Sequence, residues 1–307
     1  MYHSTRLYNP RSSYISSIST TTYRSRPRGP PPTSAQVRRV AAAAIATLET
    51  IGVKACFVGG MACYLFGNLR QPNVGPSSSY HRTNPTPIET DQDVDILCLD
   101  WNLGQEALKS KLVSLNSSFY LVAARNPLAS YKVLWYRLAD TDSAVKVDLL
   151  FPGILNIPSI PSSAITSQNA HKLPCAPFSL VLLLKLQAWI HHGDALEYRY
   201  KAKQPMDARD IEALLPLAVK QGVRPRSDGF LPQSFVADAA KHVGRFVRDC
   251  PNTRRDWETL GLIEPKKQIV SASSSTRSPA TKIQVDSKAK ANTQRYRTTP
   301  RVPAFFI

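Results

Sequence analysis

The chain has 307 residues and carries 39 Lys and Arg against 22 Asp and Glu, a formal charge of +17. That length allows one large or two small domains with a substantial core, and a charge of that sign invites an anionic partner such as nucleic acid. The most apolar run, Leu180 to Leu184, is cut by Lys185 and is far too short to span a bilayer. Cys56, Cys63, Cys98, Cys175 and Cys250 form no Cys-x-x-Cys pair and mostly sit among apolar residues, which points to core thiols rather than zinc ligands or disulfides.

Residues 1–34 are expected to be a disordered basic tail. The first 40 residues hold seven Arg and no acid, and Arg24-Ser25-Arg26-Pro27-Arg28-Gly29-Pro30-Pro31-Pro32 lacks the apolar content to build a core. An Ala-rich helix follows over 35–50, closed by Gly52. A short strand at 55–58 runs through Gly59-Gly60 into a helical stretch from Met61 to Phe66. Strands are expected near 93–99, 119–123, 131–138 and 144–150, with a helix near 103–115. This alternation predicts a mixed α/β (α+β) layer over 35–153. Pro158, Pro161, Pro174 and Pro177 mark a linker over 154–177. Helices near 178–191, 206–220 and 232–248 then form a helical lobe over 178–262. Residues 263–307 are expected to be a second disordered basic tail, since residues 264–307 hold nine Lys or Arg against Glu264 and Asp286. Only +3 is left for the middle of the chain, so the basicity lives in the tails. They suit nonspecific screening of RNA phosphates.

Three carboxylates and a glycine pair carry the chemistry. In Asp93-Val94-Asp95-Ile96-Leu97, strand alternation points Asp93 and Asp95 the same way, roughly 7 Å apart, while Val94 and Ile96 face the core. Asp148, inside Val145-Lys146-Val147-Asp148-Leu149-Leu150, offers a third acid on another strand. Crowded carboxylates repel one another and partly protonate, and a bound divalent cation removes that penalty. Gly59-Gly60 occupies a strand-to-helix turn, where missing side chains let a phosphate approach the backbone. The competing register Asp91-Gln92-Asp93 lacks the apolar neighbours of a half-buried strand.

Taken together, the glycine pair, the short helix, the Asp-hydrophobic-Asp strand and the later isolated Asp resemble the nucleotidyltransferase superfamily that includes DNA polymerase beta. Within it the chain is similar to fungal nucleotidyltransferase-like proteins and, more remotely, to bacterial abortive-infection-type nucleotidyltransferase toxins. The resemblance covers about Ala35 to Leu217. It implies a mixed-sheet palm followed by a helical lobe, and Mg2+ or Mn2+ held by Asp93, Asp95 and Asp148. It also implies a nucleoside triphosphate cradled by Gly59 and Gly60, and transfer of a nucleoside monophosphate to a hydroxyl acceptor that the sequence does not name. The alternative is a noncatalytic nucleotide- or RNA-binding member of the same fold.

One departure is large. The family separates the glycine pair from the first acid by about a dozen residues, whereas 32 lie between Gly60 and Asp93. Removing Val74 to Gln92, a Ser-, Thr- and Pro-rich stretch with no hydrophobic period, would restore the family spacing. Two readings stand: a retained in-frame intron, since valine codons begin with GT and glutamine can be CAG, or a surface insertion, which costs little because loop-closure entropy grows slowly with length. Arg70, just before the stretch, is a candidate for orienting the acidic strand or a phosphate, beside its default as a solvated loop arginine.

The lobe has its own candidates. Lys185 lies among Leu182, Leu183, Leu184, Leu186 and Trp189, so its ammonium either snorkels to water or meets an anion; the resemblance implies nucleotide phosphates. Asp207 and Asp210 match acids that follow a lysine in the toxin-like members, but Met206 stands where that lysine would be and Lys203 is farther back. Capping or first-turn dipole stabilisation suffices for Asp207, and His191-His192 suits a helix carboxyl end. Tyr198-Arg199-Tyr200-Lys201 suits either base stacking or an interlobe surface. An intracellular, cytoplasmic setting is expected, with a mitochondrial address as the alternative because the first tail is Arg-, Ser- and Thr-rich without acids.

Overall fold

A computed structural model describes residues 29–68, 93–126 and 128–265. The 74–92 stretch, Arg70, and the tails apart from 29–34 and 263–265 lie outside the described residues.

The first helix, α1, spans Ser34–Thr50 and starts on a capping box. The Thr33 hydroxyl accepts from the Gln36 amide at 3.3 Å, and the Gln36 side chain accepts from the Thr33 amide at 2.7 Å, so two otherwise orphaned donors are satisfied. Its apolar stripe of Val37, Val40, Ala44, Ile45 and Leu48 is buried. The helix stops where Gly52 adopts a φ of +74°, the left-handed geometry that ends helices at glycine. β1 (Ala55–Phe57) leads into α2 (Gly59–Leu65), then come β2 (Val94–Cys98), α3 (Gln105–Leu115), β3 (Phe119–Ala123), β4 (Lys132–Arg137) and β5 (Ala144–Leu150). The five strands form one sheet in the order β1-β2-β5-β4-β3. Only β2 and β5 run parallel.

Alternation along these strands divides the sheet into two faces. Val94, Ile96, Cys98, Leu134, Val145, Val147 and Leu149 are buried in the main core, on the face where α1 and α3 pack. The opposite face carries Asp93, Asp95, Lys146 and Asp148. Toward the β3 edge it continues into Trp135, Tyr120, Val122 and Ala144, a small separate apolar cluster. Period-2 patterning thus sends one set of side chains to the core and collects the charged set on the other side.

α4 (Phe178–Asp194) is the central helix of the lobe and is buried around most of its circumference. Leu180, Leu182, Leu183, Leu184 and Leu186 are all buried, each stabilising by about 1.5–3 kcal/mol relative to exposure. α5 (Tyr198–Lys201), α6 (Gln204–Lys220), α7 (Gln233–Asp249) and α8 (Arg254–Thr259) follow. α6, α7 and α2 pack on α4, which is why a helix apolar on nearly every side forms here. The short helices α5 and α8 escape a periodicity search because four and six residues are too few to establish a period.

The Pro-rich stretch 154–177 does more than connect. The Phe57 amide donates to the Pro174 carbonyl at 2.9 Å and the Ala176 amide to the Phe57 carbonyl at 3.0 Å, so this segment closes the β1 edge of the sheet, which would otherwise offer unpaired backbone groups. Ile157, Ile160, Cys175 and Ala176 join the same continuous core as the sheet and the lobe. Cys56 sits in that core, where burial pushes its thiol up to about 12. No helix among the described residues is long and apolar enough to cross a membrane.

Candidate active site

The charged face of the sheet is built by register. Asp95 on β2 lies directly opposite Asp148 on the parallel β5, as Val94 lies opposite Val147. Asp93 stands one residue before β2 and Lys146 one residue before the Val147 partner of Val94, and their side chains meet. Three acids and one lysine therefore occupy neighbouring positions on one face of two adjacent strands. The Lys146 ammonium donates to Asp93 Oδ2 at 3.0 Å and to Asp148 Oδ2 at 2.5 Å. Asp93, Lys146 and Asp148 each keep about a quarter to a third of their side-chain surface open, at 33%, 27% and 27%.

These charges perturb one another. Burial raises the Asp93 pKa and the neighbouring Asp148 charge adds to the rise, while Lys146 and Lys203 pull against it without cancelling it. For Lys146 burial acts downward, but the attraction and hydrogen bonds of Asp148 and Asp93 outweigh it and hold the ammonium above the ordinary lysine range. Lys146 therefore stays charged throughout the neutral range.

Gly59 sits behind Asp95. Its φ is +59°, and a Cβ placed there would lie 2.0 Å from Asp95 Oδ2, inside any van der Waals limit. The glycine is thus required twice, by backbone handedness and by the approach of the carboxylate. The Val58 amide donates to the Asp95 carbonyl at 3.1 Å, tying the turn to β2. Gly60 instead lines a cleft together with Arg38, Tyr64, Asn68, Asp93 and Asp210. Arg38 lies 5.2 Å over the Tyr64 ring, whose hydroxyl is 3.0 Å from His171 Nε2.

The lobe supplies a second charged cluster beside this cleft. Lys185 Nζ is 3.3 Å from Asp207 Oδ1 and 3.1 Å from Asp210 Oδ2. Asp207 Oδ2 meets His192 Nδ1 at 2.5 Å, and Asn68 Nδ2 donates to Asp210 Oδ1 at 3.0 Å. None of the Lys185, Asp207, Asp210 and His192 side chains exceeds 8% exposure.

No protein-family model matches the chain, and no curated protein matches it. Among solved structures it is similar to an antigenic nucleotidyltransferase-like protein from Paracoccidioides brasiliensis, at 15% identity over 75% of this chain and 95% of that one, with a TM-score of 0.51. The chain has a nucleotidyltransferase-like fold. Weaker likenesses link it to the antibiotic-resistance factor ANT(2'')-Ia, at 10% identity over 74% of this chain and 97% of that one, TM-score 0.35. A second structure of that protein, in complex with adenylyl-2''-tobramycin, is 11% identical over 69% of this chain and 99% of that one, TM-score 0.34.

Within this nucleotidyltransferase-like fold, Asp93, Asp95 and Asp148 share one face beside Gly59. Among the described residues, however, no three His, Cys, Asp or Glu side chains gather to hold a metal ion. Asp93 and Asp148 converge on Lys146, while Asp95 lies against Gly59. Lys185 does not snorkel; its ammonium is buried and committed to Asp207 and Asp210. Asp207 is not a helix cap, since α6 has no side-chain cap, and His192 turns inward to Asp207 rather than out to the helix end. The reason is the depth of α4, where a buried charge needs a partner of opposite sign. Tyr198, in α5, is 83% exposed, and Arg199 stacks 4.5 Å over the Tyr200 ring. Sequence reasoning missed Lys146 as a partner of the acids, although its position two residues before Asp148 already assigned it to their face. It weighed Lys203 only in relation to Asp207, whereas the Lys203 charge also acts to lower the Asp93 pKa.

Proposed function

We propose that this protein is a metal-dependent nucleotidyltransferase, moving a nucleoside monophosphate from a nucleoside triphosphate to a hydroxyl acceptor with release of pyrophosphate. The observation that carries the reading is the parallel pairing of β2 and β5, which sets Asp95 opposite Asp148 with Asp93 one residue pair away, beside the Gly59 turn. The donor set suits a hard divalent ion, since it is all carboxylate oxygen, and the Lys146 ammonium between Asp93 and Asp148 marks a point where two of these acids already converge on positive charge. Asp93, Asp95 and Asp148 would hold Mg2+ or Mn2+, which when bound supplies neutralisation of the phosphate charge and acidifies a coordinated hydroxyl.

The chain's own groups do the rest. Gly60 leaves the cleft side of the turn without a side chain, so a triphosphate can approach the backbone there, while Gly59 makes room for Asp95 behind it. Lys203 brings a cation from the lobe to the Asp93 side of the site, where phosphate oxygens need one. Asp148 accepts the proton of the acceptor hydroxyl. Lys185 serves through Asp207 and Asp210, holding the lobe against the cleft wall at Asn68.

The experiment is nucleotide transfer and pyrophosphate release with magnesium or manganese, in the native protein and in Asp93→Ala. Activity in the native protein that drops by about 10²–10³-fold in the variant is the expected result; equal activity in both rejects the reading. A second reading has its own support, because Lys146 already neutralises part of the acid cluster. On it the protein is a noncatalytic nucleotide-binding member of this fold, which binds nucleoside triphosphate and releases no pyrophosphate. RNA binding by the basic tails concerns segments outside the described residues and is tested by removing both tails, after which RNA affinity collapses and any transfer survives.

A further inference from the structure

We propose that Lys146 is a built-in counter-cation of the acid site, a positioning residue that holds Asp93 and Asp148 together and that a divalent ion must displace in order to bind. The inference rests on reading this face as a divalent-ion site. Its own support is geometric. Residues 146 and 148 stand on one face of β5, and Asp93 comes just before the Val94–Val147 register pair on the adjacent strand, so the Lys146 side chain reaches both acids from the sheet surface. Its contacts, 3.0 Å to Asp93 and 2.5 Å to Asp148, are those of a charge-assisted pair.

Charge arithmetic explains why the fold needs such a group. Without Lys146 the face would carry three carboxylates on adjacent strands, and like charges at this spacing oppose folding. One ammonium lowers that repulsion but leaves a net negative site that still attracts cations. An ammonium and a divalent ion seated on the same pair of carboxylates repel each other at short range, so binding of the ion between Asp93 and Asp148 favours departure of the ammonium. The exposure of Lys146, 27% against 8% for Lys185, gives it a way out to water. The sealed lobe lysine has none.

The test measures Mn2+ binding to the full chain without nucleotide, following free Mn2+ by electron paramagnetic resonance, alongside thermal melting in a chelator. Three variants are compared with the native protein: Lys146→Met, Lys146→Gln, which keeps a donor without the charge, and Lys146→Arg. The expected result is Mn2+ affinity raised at least tenfold in Lys146→Met and Lys146→Gln and near native in Lys146→Arg, with a lower melting temperature in chelator for the two uncharged variants that Mn2+ restores. Affinity that is unchanged or weaker in both uncharged variants, or no Mn2+ binding by any of the proteins, overturns the inference. Lys146→Gln keeps the test valid if Lys146→Met does not fold. Because the readout is metal alone, transfer activity in the native protein with no affinity gain in the variants defeats only the role of Lys146. An affinity gain without transfer to any acceptor defeats only the enzymatic reading.

Discussion

The sheet and the lobe each place one lysine between two aspartates, and they use the same chemistry to opposite ends. On the sheet, Lys146 sits between Asp93 and Asp148 with about a quarter to a third of each side chain open. In the lobe, Lys185 sits between Asp207 and Asp210 with at most 8% open, and His192 and Asn68 complete the set. A sealed ion pair is a clamp: its members have lost water and depend on one another, so removing one strands the rest. An open pair can exchange partners, because solvent receives whichever group leaves. Exposure, more than composition, separates a structural lysine from one that can make way for a ligand.

The comparison can be broken at the lobe first, where the largest effect is expected. Asp210→Ala removes the Asp210 carboxylate from Lys185 and from Asn68, and should cost about 3–5 kcal/mol of stability in urea unfolding; a loss below about 1 kcal/mol would show that the cluster is not a clamp. At the glycine turn, Gly59→Ala forces a left-handed backbone on a residue with a Cβ, costing about 1–2 kcal/mol. It also drives Asp95 away from its place, so nucleotide transfer should fall more than stability does. The smallest effect carries the most informative sign. Asp93→Asn should raise the melting temperature at pH 7 without metal, the opposite of the lobe result. The Asp93 pKa is raised in the folded state, so its protonated form is the one that folding favours. Any stability it contributes is present below the ordinary carboxylate range and is lost as pH rises through the folded value. The gain from Asp93→Asn should therefore shrink as pH falls below about 4, and a gain independent of pH would place its origin elsewhere.

Much of the fold was legible in the chain. Strands stand at 119–123 and 144–150 as expected, and α1 begins at a Thr-x-x-Gln box that satisfies its own amides. These are local devices, written within a few residues of where they act. The acids Asp93 and Asp95 were legible as a same-face pair for that reason. Lys185 shows the limit: its apolar neighbours announced burial, but whether it would snorkel or find an anion depended on α6 packing across α4, and for Asp207 a capping or first-turn role sufficed. Gly59 shows another, because the glycine suggested an approaching phosphate while the group that approaches it is the carboxylate of Asp95, 36 residues onward.

Local sequence sets the longer elements, the α1 cap and the face on which each strand residue stands, since helix and strand periods are properties of the local backbone. Only the tertiary structure decided that β5, rather than the intervening β3 or β4, lies beside β2 and brings Asp148 opposite Asp95. The same level decided which lysine is sealed and which is open. Those outcomes depend on contacts between segments far apart in the chain, where the loop-closure cost and the burial gained are shared among many elements, so no single stretch of residues encodes them.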